Sequence, residues 1–574
     1  MSKKPFYFSI FIPIIIYLLF AIPSLKEWAS ADSVPFLIAA DTISGSRQWF
    51  NFSYINLNGL WHPPLYVIIL SILRKLFGMN IVFFRLFNLI CCTISIFFIY
   101  FITRELNSDK KDYSIPLIAS FIYAINPFVV RGSLHIDIDN TILTTLILAF
   151  IFLFLKNMDY LNKNSLMQLS FVFALLLSAK LTTPLILAFV ILFYLLINKK
   201  IIESIVMTIV FVLGFIFFYL FWILYCLKFN YPLFIIFKNA IVYVFCFKLA
   251  INAEFLYGIF RAILWFSPFF LLLWLLKIIN RLNERFRCKI LNKNEDLLII
   301  ISIIFFMFYL YVGPINHTFP KYLFPVISIM SILIADIIAK VKGDILYSIK
   351  TFIFIICLVV IFNIIFVGDL LYLTNYTIKE RFIRSGLDVL VLYNELFNVL
   401  SKLLFLSGIS LLIFIFYHKK RRLSFISAAI ITLFIMFLSG SLALNIIQSK
   451  AKYQVIYTYG KEGAKELVSF LKTQITSDDR ITAPYEILYY SDAVKSGFVF
   501  VQDFLSPEDF IRALKDINPA VVVYGIASNT IKQYRETFNS DLVYEYFRDH
   551  HFISKDIGSY TVWVKNNKNF NNSR

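Results

Sequence analysis

The sequence predicts a polytopic α-helical membrane protein that ends in a small soluble α/β domain. Apolar residues make up 60% of its 574 residues, whereas a soluble globular protein is about 45–50% apolar. The mean hydropathy is +0.77. Apolar runs of about 17–25 residues recur from Phe6 to about Ile447, and each could cross a hydrocarbon layer of about 30 Å as a helix. After about Lys450 this pattern stops, which marks the start of the soluble domain.

The formal net charge is +19, which in a soluble protein would suggest nucleic-acid binding. Here the basic residues fall in short loops between apolar runs, as expected for the cytoplasmic loops of a membrane protein. We therefore expect membrane lipids, and no nucleic acid, as partners. The six cysteines show no paired metal-ligand spacing.

Charge placement predicts the topology. Lys3 and Lys4 precede the first apolar run, 6–24, which we interpret as a span leading outward and not as a cleaved signal peptide. The run 81–103 ends at Arg104 and must therefore begin outside. The apolar stretch 63–77 then lies at the outer interface, inside one long first outer loop, 25–80.

The remaining spans alternate with basic cytoplasmic loops and give about thirteen spans. Residues 1–449 form the membrane domain, whose N-terminus is cytoplasmic, and residues 450–574 form an extracytoplasmic domain. Two other long outer loops cover 228–256 and 368–400. Further spans are predicted near 114–131, 140–156, 166–181, 182–198, 202–227, 257–277, 296–313, 321–339, 346–367, 401–417 and 424–446.

In the C-terminal domain, the stretch from Gly460 has the period of an amphipathic helix. The segments 480–483 and 520–524 have the composition of strands. Ser506 and Pro507 are typical of a helix N-cap and first position. This alternation predicts a domain of roughly 120 residues that mixes helices and strands.

Three acidic residues fall on the outer side of this topology: Asp32, Asp137 and Asp139. Asp32 lies just beyond the first span, and the other two share a short turn between two spans. Asp41 is a fourth candidate. They are either ordinary solvated carboxylates or a catalytic group, because inverting glycosyl transfer needs a carboxylate that deprotonates the acceptor.

Basic residues on the same side could bind a phosphate that leaves with a lipid. His62 precedes two prolines, which fix a rigid turn, although a single histidine is more often structural. Lys180 is either a phosphate partner or a snorkelling lysine. Lys321 and Tyr322 could equally form an interfacial anchor. The full set of basic candidates is His62, Arg85, Arg131, Lys180, His317 and Lys321.

The order of these motifs resembles the GT-C glycosyltransferases of the protein O-mannosyltransferase type (glycosyltransferase family 39), which include the lipid A aminoarabinose transferases. The family's motifs are an acidic residue in the first outer loop, a basic-Pro-Pro-Leu segment, an Arg-Leu, an outer Asp, a Lys near the fifth and sixth spans and a basic-Tyr-Leu-x-Pro segment. The matching residues are Asp32, His62-Pro-Pro-Leu65, Arg85-Leu86, Asp137 or Asp139, Lys180 and Lys321-Tyr-Leu-Phe-Pro325.

The resemblance implies a hexosyl or pentosyl transferase of the cell envelope that moves a sugar from a polyprenyl-phosphate donor to a lipid, glycan or protein acceptor. Asp32 would be the base, supported by Asp137 and Asp139. Two departures stand out: Ser33 replaces the family's Glu after Asp32, and His62 replaces the commoner Lys, which would make its phosphate contact pH-dependent.

The sequence contains no nucleotide-binding motif, in agreement with a lipid-linked donor. No cofactor is predicted, and the need for a divalent metal, the sugar and the acceptor are left open. The first alternative function is a transporter or flippase of lipid-linked glycans, but the sequence shows neither internal repeats nor charged midplane helices. The second is a non-catalytic assembly or receptor protein.

Overall fold

The structure is a computed structural model, and it describes most of the membrane part and the sheet of the C-terminal domain. The described residues are 9–26, 28–29, 33–46, 62–107, 112–158, 162–245, 266–286, 293–312, 321–341, 349–362, 425–448, 463–476, 479–491, 497–498, 506–524, 537–558 and 560–566, with a few single residues between them.

The membrane part is built of helices, as its long apolar runs predict. Their backbone groups bond within each helix, which is what a lipid environment requires. The helices are α1 (Phe11–Ala21), α2 (Val34–Ser44), α3 (Leu65–Phe77), α4 (Ile81–Leu106), α5 (Ser114–Ile125), α6 (Pro127–Leu134), α7 (Thr144–Asn157), α8 (Lys163–Ala179), α9 (Thr182–Ile197), α10 (Ile201–Phe229), α11 (Ile235–Phe245), α12 (Pro268–Phe286), α13 (Lys293–Val312), α14 (Phe324–Lys340), α15 (Ile349–Phe362) and α16 (Phe425–Gln448).

Helix α14 is the most enclosed of the five described helices that are long and apolar enough to cross a membrane. Of its most apolar stretch, 83% is buried. It packs against α5, α12 and α13. A turn of 3₁₀ helix, Lys321–Leu323, leads into it. The central position of α14 therefore places Lys321 and Tyr322 at one end of the helical core.

Five described helices are long and apolar enough to cross a membrane, or six if one bent pair counts as a span. That pair, α5 and α6, replaces the predicted continuous span 114–131 and bends by 57°. Asn126 is extended at the bend, as expected for a residue before proline. Helix α12 starts at Pro268, and most of the first part of the predicted span 257–277 lies outside the described residues. The predicted span 401–417 lies almost wholly outside the described residues, and the total of thirteen spans stays a prediction.

The first outer loop contains α2 and α3, which pack against each other. Helix α3 has 13 residues and is therefore about 20 Å long, too short to cross the hydrocarbon layer. Its last turn carries Arg74 and Lys75. This length agrees with the prediction that residues 63–77 do not form a span.

The C-terminal domain is a five-stranded mixed sheet with helices, as the alternation predicted. The strands are β1 (Ile481–Ala483), β2 (Gly497–Phe498), β3 (Val521–Tyr524), β4 (Phe552–Ile557) and β5 (Tyr560–Lys565), in the order β2-β1-β3-β5-β4. Strand β1 is parallel to β2 and β3, and β5 is antiparallel to β3 and β4. The helices are α17 (Ala464–Gln474), α18 (Tyr485–Tyr490), α19 (Pro507–Ile517) and α20 (Asp541–Asp549).

The details of this domain confirm the local sequence signals. Ser506 caps α19, because its hydroxyl oxygen accepts from the Asp509 amide at 3.2 Å, and Pro507 is the first helical residue. Both predicted strands form, as β1 and β3. The predicted amphipathic helix begins at Ala464, and its buried residues are Ala464, Leu467, Val468 and Leu471.

The C-terminal domain packs against the first outer loop. The Trp28 ring stacks on Tyr490, with 4.2 Å between ring centroids, and α18 contacts α2. The domain and the first outer loop therefore lie at the same end of the helical core.

A network of ion pairs lies at the opposite end, between α12, α13 and α14. Lys277 contacts Asp336 at 2.6 Å, and Arg281 contacts Asp296 at 2.7 Å. Asp336 is 15 residues after Lys321 along the chain, which corresponds to roughly 22 Å of helix. Arg281, which follows the predicted span 257–277 and is therefore assigned to the cytoplasm, is thus far from the first outer loop.

These positions allow a direct test of the predicted topology. Ser491, a residue of the C-terminal domain, is buried and would be a poor labelling site, whereas Ser554 and Asn283 are exposed. We expect a membrane-impermeant thiol reagent applied to intact cells to label Ser554→Cys and not Asn283→Cys, because the two lie at opposite ends. Labelling of Asn283→Cys alone would invert the topology.

Candidate active site

The two aspartates of the outer turn are fixed by a dense set of local hydrogen bonds. The Asp139 amide donates to Asp137 Oδ1 at 3.0 Å. The Thr141 and Thr144 hydroxyls donate to the carbonyls of Asp137 and Asp139, each at 2.8 Å. Asn140 Nδ2 donates to the Gly132 carbonyl at 3.1 Å. The turn is wound as one π-helical turn, Asp139–Leu143, and leads directly into α7.

Each of these carboxylates forms an ion pair with a lysine from another part of the chain. Lys180 Nζ lies 2.6 Å from Asp139 Oδ1, and both side chains are only 2% exposed. Lys321 Nζ lies 2.9 Å from Asp137 Oδ2. Charges so far from water persist only when they are paired. The structure therefore brings together four of the residues that the sequence singled out.

Lys180 reaches the turn because the chain is extended there. Its backbone has φ −156° and ψ 141°, in the break between α8 and α9. The predicted spans 166–181 and 182–198 are therefore separated by two non-helical residues, Lys180 and Leu181. The sequence left a snorkelling lysine as an equal alternative, but the ammonium is directed to a buried aspartate.

Two tyrosines complete the surroundings of Lys180. Its ammonium lies 4.3 Å from the Tyr322 ring centroid and 5.7 Å from that of Tyr309. The two rings are stacked, with centroids 6.1 Å apart, and the Tyr309 hydroxyl contacts the Thr183 hydroxyl. The negative faces of aromatic rings stabilise a desolvated cation. The sequence analysis missed Tyr309, because it lies within an apolar run.

His62 lies close enough to Lys180, Asp137 and Lys321 for their charges to change its pKa. Loss of water around the ring, followed by the Lys180 charge, lowers the pKa of His62 to about 3. The imidazole is therefore mostly neutral near neutral pH, where it can act as an uncharged hydrogen-bonding group. The pH dependence of its phosphate contact stays a prediction, because that contact exists only when the lipid is bound.

Arg85 was predicted as a phosphate partner, but its guanidinium is directed to backbone carbonyls. It donates to Leu134 at 2.9 Å, Leu25 at 2.8 Å and Trp28 at 3.0 Å. These carbonyls belong to segments that follow α1 and end α6. Arg85 thus joins the start of the first outer loop to the helix that precedes the aspartate turn.

Asp32 and His317 lie outside the described residues. The residue after Asp32, however, contacts the aspartate turn directly: the Ile136 amide donates to Ser33 Oγ at 3.1 Å. Ser33 is buried. The sequence analysis treated Ser33 only as a missing glutamate, whereas its short side chain accepts a hydrogen bond from the residue before Asp137. Arg131, a further basic candidate, is buried within α6.

Asp41 has a structural partner. Its carboxylate pairs with Arg74 of α3, and both side chains are almost completely buried. The pair joins α2 to α3 inside the first outer loop. Asp41 is therefore not an ordinary solvated carboxylate of that loop.

An apolar groove of about 420 Å³ is lined by residues of α3, α8 and α10. Leu65 at the start of α3 lies at one side, and Ser178 near the end of α8 lies at another. In the chain, Leu65 follows His62 closely, and Ser178 closely precedes Lys180. The remaining lining residues come from α8 and α10: Met167, Phe171, Ala174, Leu175, Phe217 and Phe221.

Within the described part of the chain, no three His, Cys, Asp or Glu side chains come together as metal ligands would. Asp137 and Asp139 are instead each balanced by a lysine. The arrangement consists of two ion pairs, each neutral overall, with two aromatic rings against Lys180.

Comparison with known proteins identifies the class to which this fold and cluster correspond. Residues 61–223 match the family described as dolichyl-phosphate-mannose-protein mannosyltransferase. The matched region includes His62, Arg85, Asp137, Asp139 and Lys180. No curated protein sequence matches the chain. The resemblance to GT-C glycosyltransferases of the protein O-mannosyltransferase type is confirmed.

Solved structures are similar over nearly the whole chain. ArnT from Cupriavidus metallidurans bound to undecaprenyl phosphate matches with a TM-score of 0.57 and 12% identity, over 98% of each chain. The oligosaccharyltransferase AglB from Archaeoglobus fulgidus, in complex with an inhibitory peptide and a dolichol-phosphate, matches with a TM-score of 0.52 and 12% identity, over 97% of this chain and 74% of AglB. The chain therefore has the GT-C membrane fold, and its structural neighbours are glycosyltransferases.

The Asp41–Arg74 pair gives a stability prediction. Asp41→Asn should lower the free energy of unfolding by about 3–5 kcal/mol, because it leaves a buried guanidinium without its counter-charge. The double variant Asp41→Asn/Arg74→Met should recover part of this loss, since no unpaired charge remains. Thermal unfolding in detergent measures both, with the exposed Asp556→Asn as control. A melting temperature for Asp41→Asn equal to that of the control would show that the pair does not hold the loop.

Proposed function

We propose that this protein is a membrane glycosyltransferase that moves a sugar from a polyprenyl-phosphate donor to a lipid, glycan or protein acceptor on the extracytoplasmic side. The observation that carries the proposal is the cluster in which Asp139 pairs with Lys180 and Asp137 pairs with Lys321. Buried cations, together with an apolar groove whose lining includes Ser178, two residues before Lys180, fit a ligand that is both anionic and lipidic.

The donor phosphate would lie against Lys180 and Lys321. An ammonium has three N–H donors, so a lysine held by one aspartate oxygen can also donate to a phosphate oxygen. Neutral His62 would add an uncharged contact, and Tyr322 would close one side of the site. In the related structures the bound lipids are undecaprenyl phosphate and dolichol-phosphate, which supports this class of donor here.

The polyprenyl chain would enter the groove between α8 and α10. Its lining is almost entirely apolar, and one end of the groove lies beside Ser178, two residues before Lys180. A branched hydrocarbon chain gains free energy by burying apolar surface there, at about 25 cal/mol per Å². The groove and the two lysines together account for both ends of such a lipid.

Asp32 would be the general base. Its neighbour Ser33 is bonded to Ile136, one residue before Asp137, so the segment that carries Asp32 is joined to the turn that carries the phosphate-binding pairs. Asp137 and Asp139 are already engaged with lysines, which makes them less suited to accept a proton. We therefore assign them the role of positioning the lysines.

In the proposed reaction, Asp32 takes the proton of an acceptor hydroxyl, and the acceptor oxygen attacks the anomeric carbon of the sugar. The bond between that carbon and the donor phosphate oxygen breaks, and the oxygen leaves with its electron pair. Lys180 and Lys321 stabilise the negative charge that develops on the leaving phosphate. Arg85 acts indirectly, by holding the start of the first outer loop through backbone carbonyls.

The transporter alternative finds less support in the structure. The ion pairs described above lie at the two ends of the helical core, whereas a carrier binds its cargo near the midplane. The structural neighbours reported above are glycosyltransferases. Turnover of a polyprenyl-phosphate sugar by the purified protein, measured by release of the lipid phosphate, would separate an enzyme from a carrier or a receptor.

The base assignment predicts that Asp32→Asn lowers kcat by about 10²–10⁴ and changes the melting temperature little. The substitution keeps size and hydrogen bonding but removes the proton-accepting carboxylate. Asp556→Asn, on the same side of the membrane, is the control and should keep wild-type turnover. Asp139→Asn should be intermediate if Asp139 only positions Lys180. Normal turnover in Asp32→Asn would reject the base assignment.

The phosphate site predicts a different pattern for a charge-neutral double variant. Lys180→Met/Asp139→Asn removes a charge-assisted contact worth roughly 1.5–3 kcal/mol, so donor affinity should fall about ten- to a hundredfold. Lys180→Met alone should also destabilise the fold, because Asp139 stays buried and unpaired. His62→Ala should weaken binding less, since the ring is neutral.

The matched control for this variant is Lys277→Met/Asp336→Asn, which removes an ion pair at the opposite end of the core. Its donor affinity, measured by calorimetry with a polyprenyl phosphate, should equal that of the wild type. Equal weakening by both double variants would mean that loss of stability, and not loss of a phosphate contact, lowers the affinity.

A further inference from the structure

The backbone at Trp28 and Ala29 is held from two sides. On the membrane-domain side, Arg85 donates to the Trp28 carbonyl at 3.0 Å. On the side of the C-terminal domain, the Ala29 amide donates to the Tyr490 hydroxyl oxygen at 2.7 Å. Ala29 is fully buried, at 0% exposure. This point of the first outer loop is therefore shared by both parts of the protein.

Tyr490 is placed by the sheet of the C-terminal domain. It is the last residue of α18, which follows β1 directly. Ile487 and Leu488 of the same helix are buried in the core of that domain. Tyr490 itself packs against both the membrane core and the core of the C-terminal domain. Its hydroxyl is thus placed where the C-terminal domain meets the first outer loop.

The segment between the two fixed points is short. Ala29 is bonded to Tyr490, and Ser33 is bonded to Ile136 at 3.1 Å, so only residues 30–32 lie between them. Asp32 is one of these three residues. Because each residue adds at most about 3.3–3.6 Å of reach, the positions of Ala29 and Ser33 limit the region that Asp32 can occupy.

We propose that Tyr490 is a positioning residue for sugar transfer: its hydroxyl fixes the backbone at Ala29, three residues before Asp32 in the chain. The inference rests on the proposed function of Asp32 as the base. It gives the C-terminal domain a role in catalysis that does not require the domain to contact the substrates.

The test is Tyr490→Phe, which keeps the stack on Trp28 and removes only the hydroxyl. We expect kcat to fall about tenfold, because a small displacement of a reacting group costs up to about a hundredfold. The KM for the donor and the melting temperature should stay unchanged. The pH profile of kcat should keep its shape, since the base itself remains.

The matched control is Tyr524→Phe, the same change in the same domain. Tyr524 is buried in β3, and its hydroxyl makes no hydrogen bond to any described residue. The control should keep the wild-type kcat. An equal fall of kcat in both variants would overturn the proposal, because it would reflect general weakening of the domain.

A readout that needs no turnover separates this inference from the proposed function. Hydrogen–deuterium exchange resolved to the Ala29 amide should be about tenfold faster or more in Tyr490→Phe and unchanged in Tyr524→Phe. Unchanged exchange at Ala29, or unchanged kcat in an active enzyme, overturns the proposal. If the wild type transfers no sugar, the proposed function fails, and the exchange rate alone decides whether Tyr490 holds the segment.

Discussion

The pairing of Asp139 with Lys180 is the constraint on which the outer end of the helical core depends. Two opposite charges, each about 2% exposed, cannot be left without a partner in an apolar interior, because breaking such a pair costs about 3–5 kcal/mol. The break between α8 and α9, the π-helical turn before α7 and the stacked rings of Tyr309 and Tyr322 all converge on this pair. The second pair, Asp137 with Lys321, couples the same turn to the central helix α14.

The first outer loop depends on a comparable set of interactions. Arg85 ties its start to the end of α6, the buried Asp41–Arg74 pair ties α2 to α3, and Ser33 ties it to the aspartate turn. All three use a charged or polar side chain that is enclosed by apolar neighbours. A loop built in this way presents a defined surface to the core, as a site made of several chain segments requires.

The sequence was sufficient for the fold class, because long apolar runs and basic loops report directly on the membrane. It also predicted the strands β1 and β3, the capped helix at Ser506 and the residues of the lysine–aspartate cluster. The alternation of spans with basic cytoplasmic loops assigned Asp137, Asp139 and Lys321 to the outer face of the membrane, and the structure brings them together. These predictions succeed because they depend on local periodicity and on the high cost of charge in lipid.

What could not be predicted depends on which residues meet in space. Nothing in the sequence distinguishes Asp41, which pairs with Arg74, from a solvated loop carboxylate. The sequence marks Arg85 as a candidate phosphate partner. In the structure it donates instead to backbone carbonyls that come together only when the chain folds. The pKa of His62 likewise depends on burial and on Lys180, more than a hundred residues away in the chain. Tyr309 carries no signal at all within its apolar run.

The contact between Trp28 and Tyr490 has a consequence for where this protein can be divided. Composition indicates a domain boundary near residue 450, but side chains pack across that boundary. Trp28, from the membrane part, packs against the core of the sheet domain, and Tyr489, from the sheet domain, belongs to the core of the membrane part. Each part therefore contributes an aromatic ring to the interior of the other. Local unfolding of the sheet domain and of the first outer loop is therefore expected to be coupled, because each loses an apolar partner when the other opens.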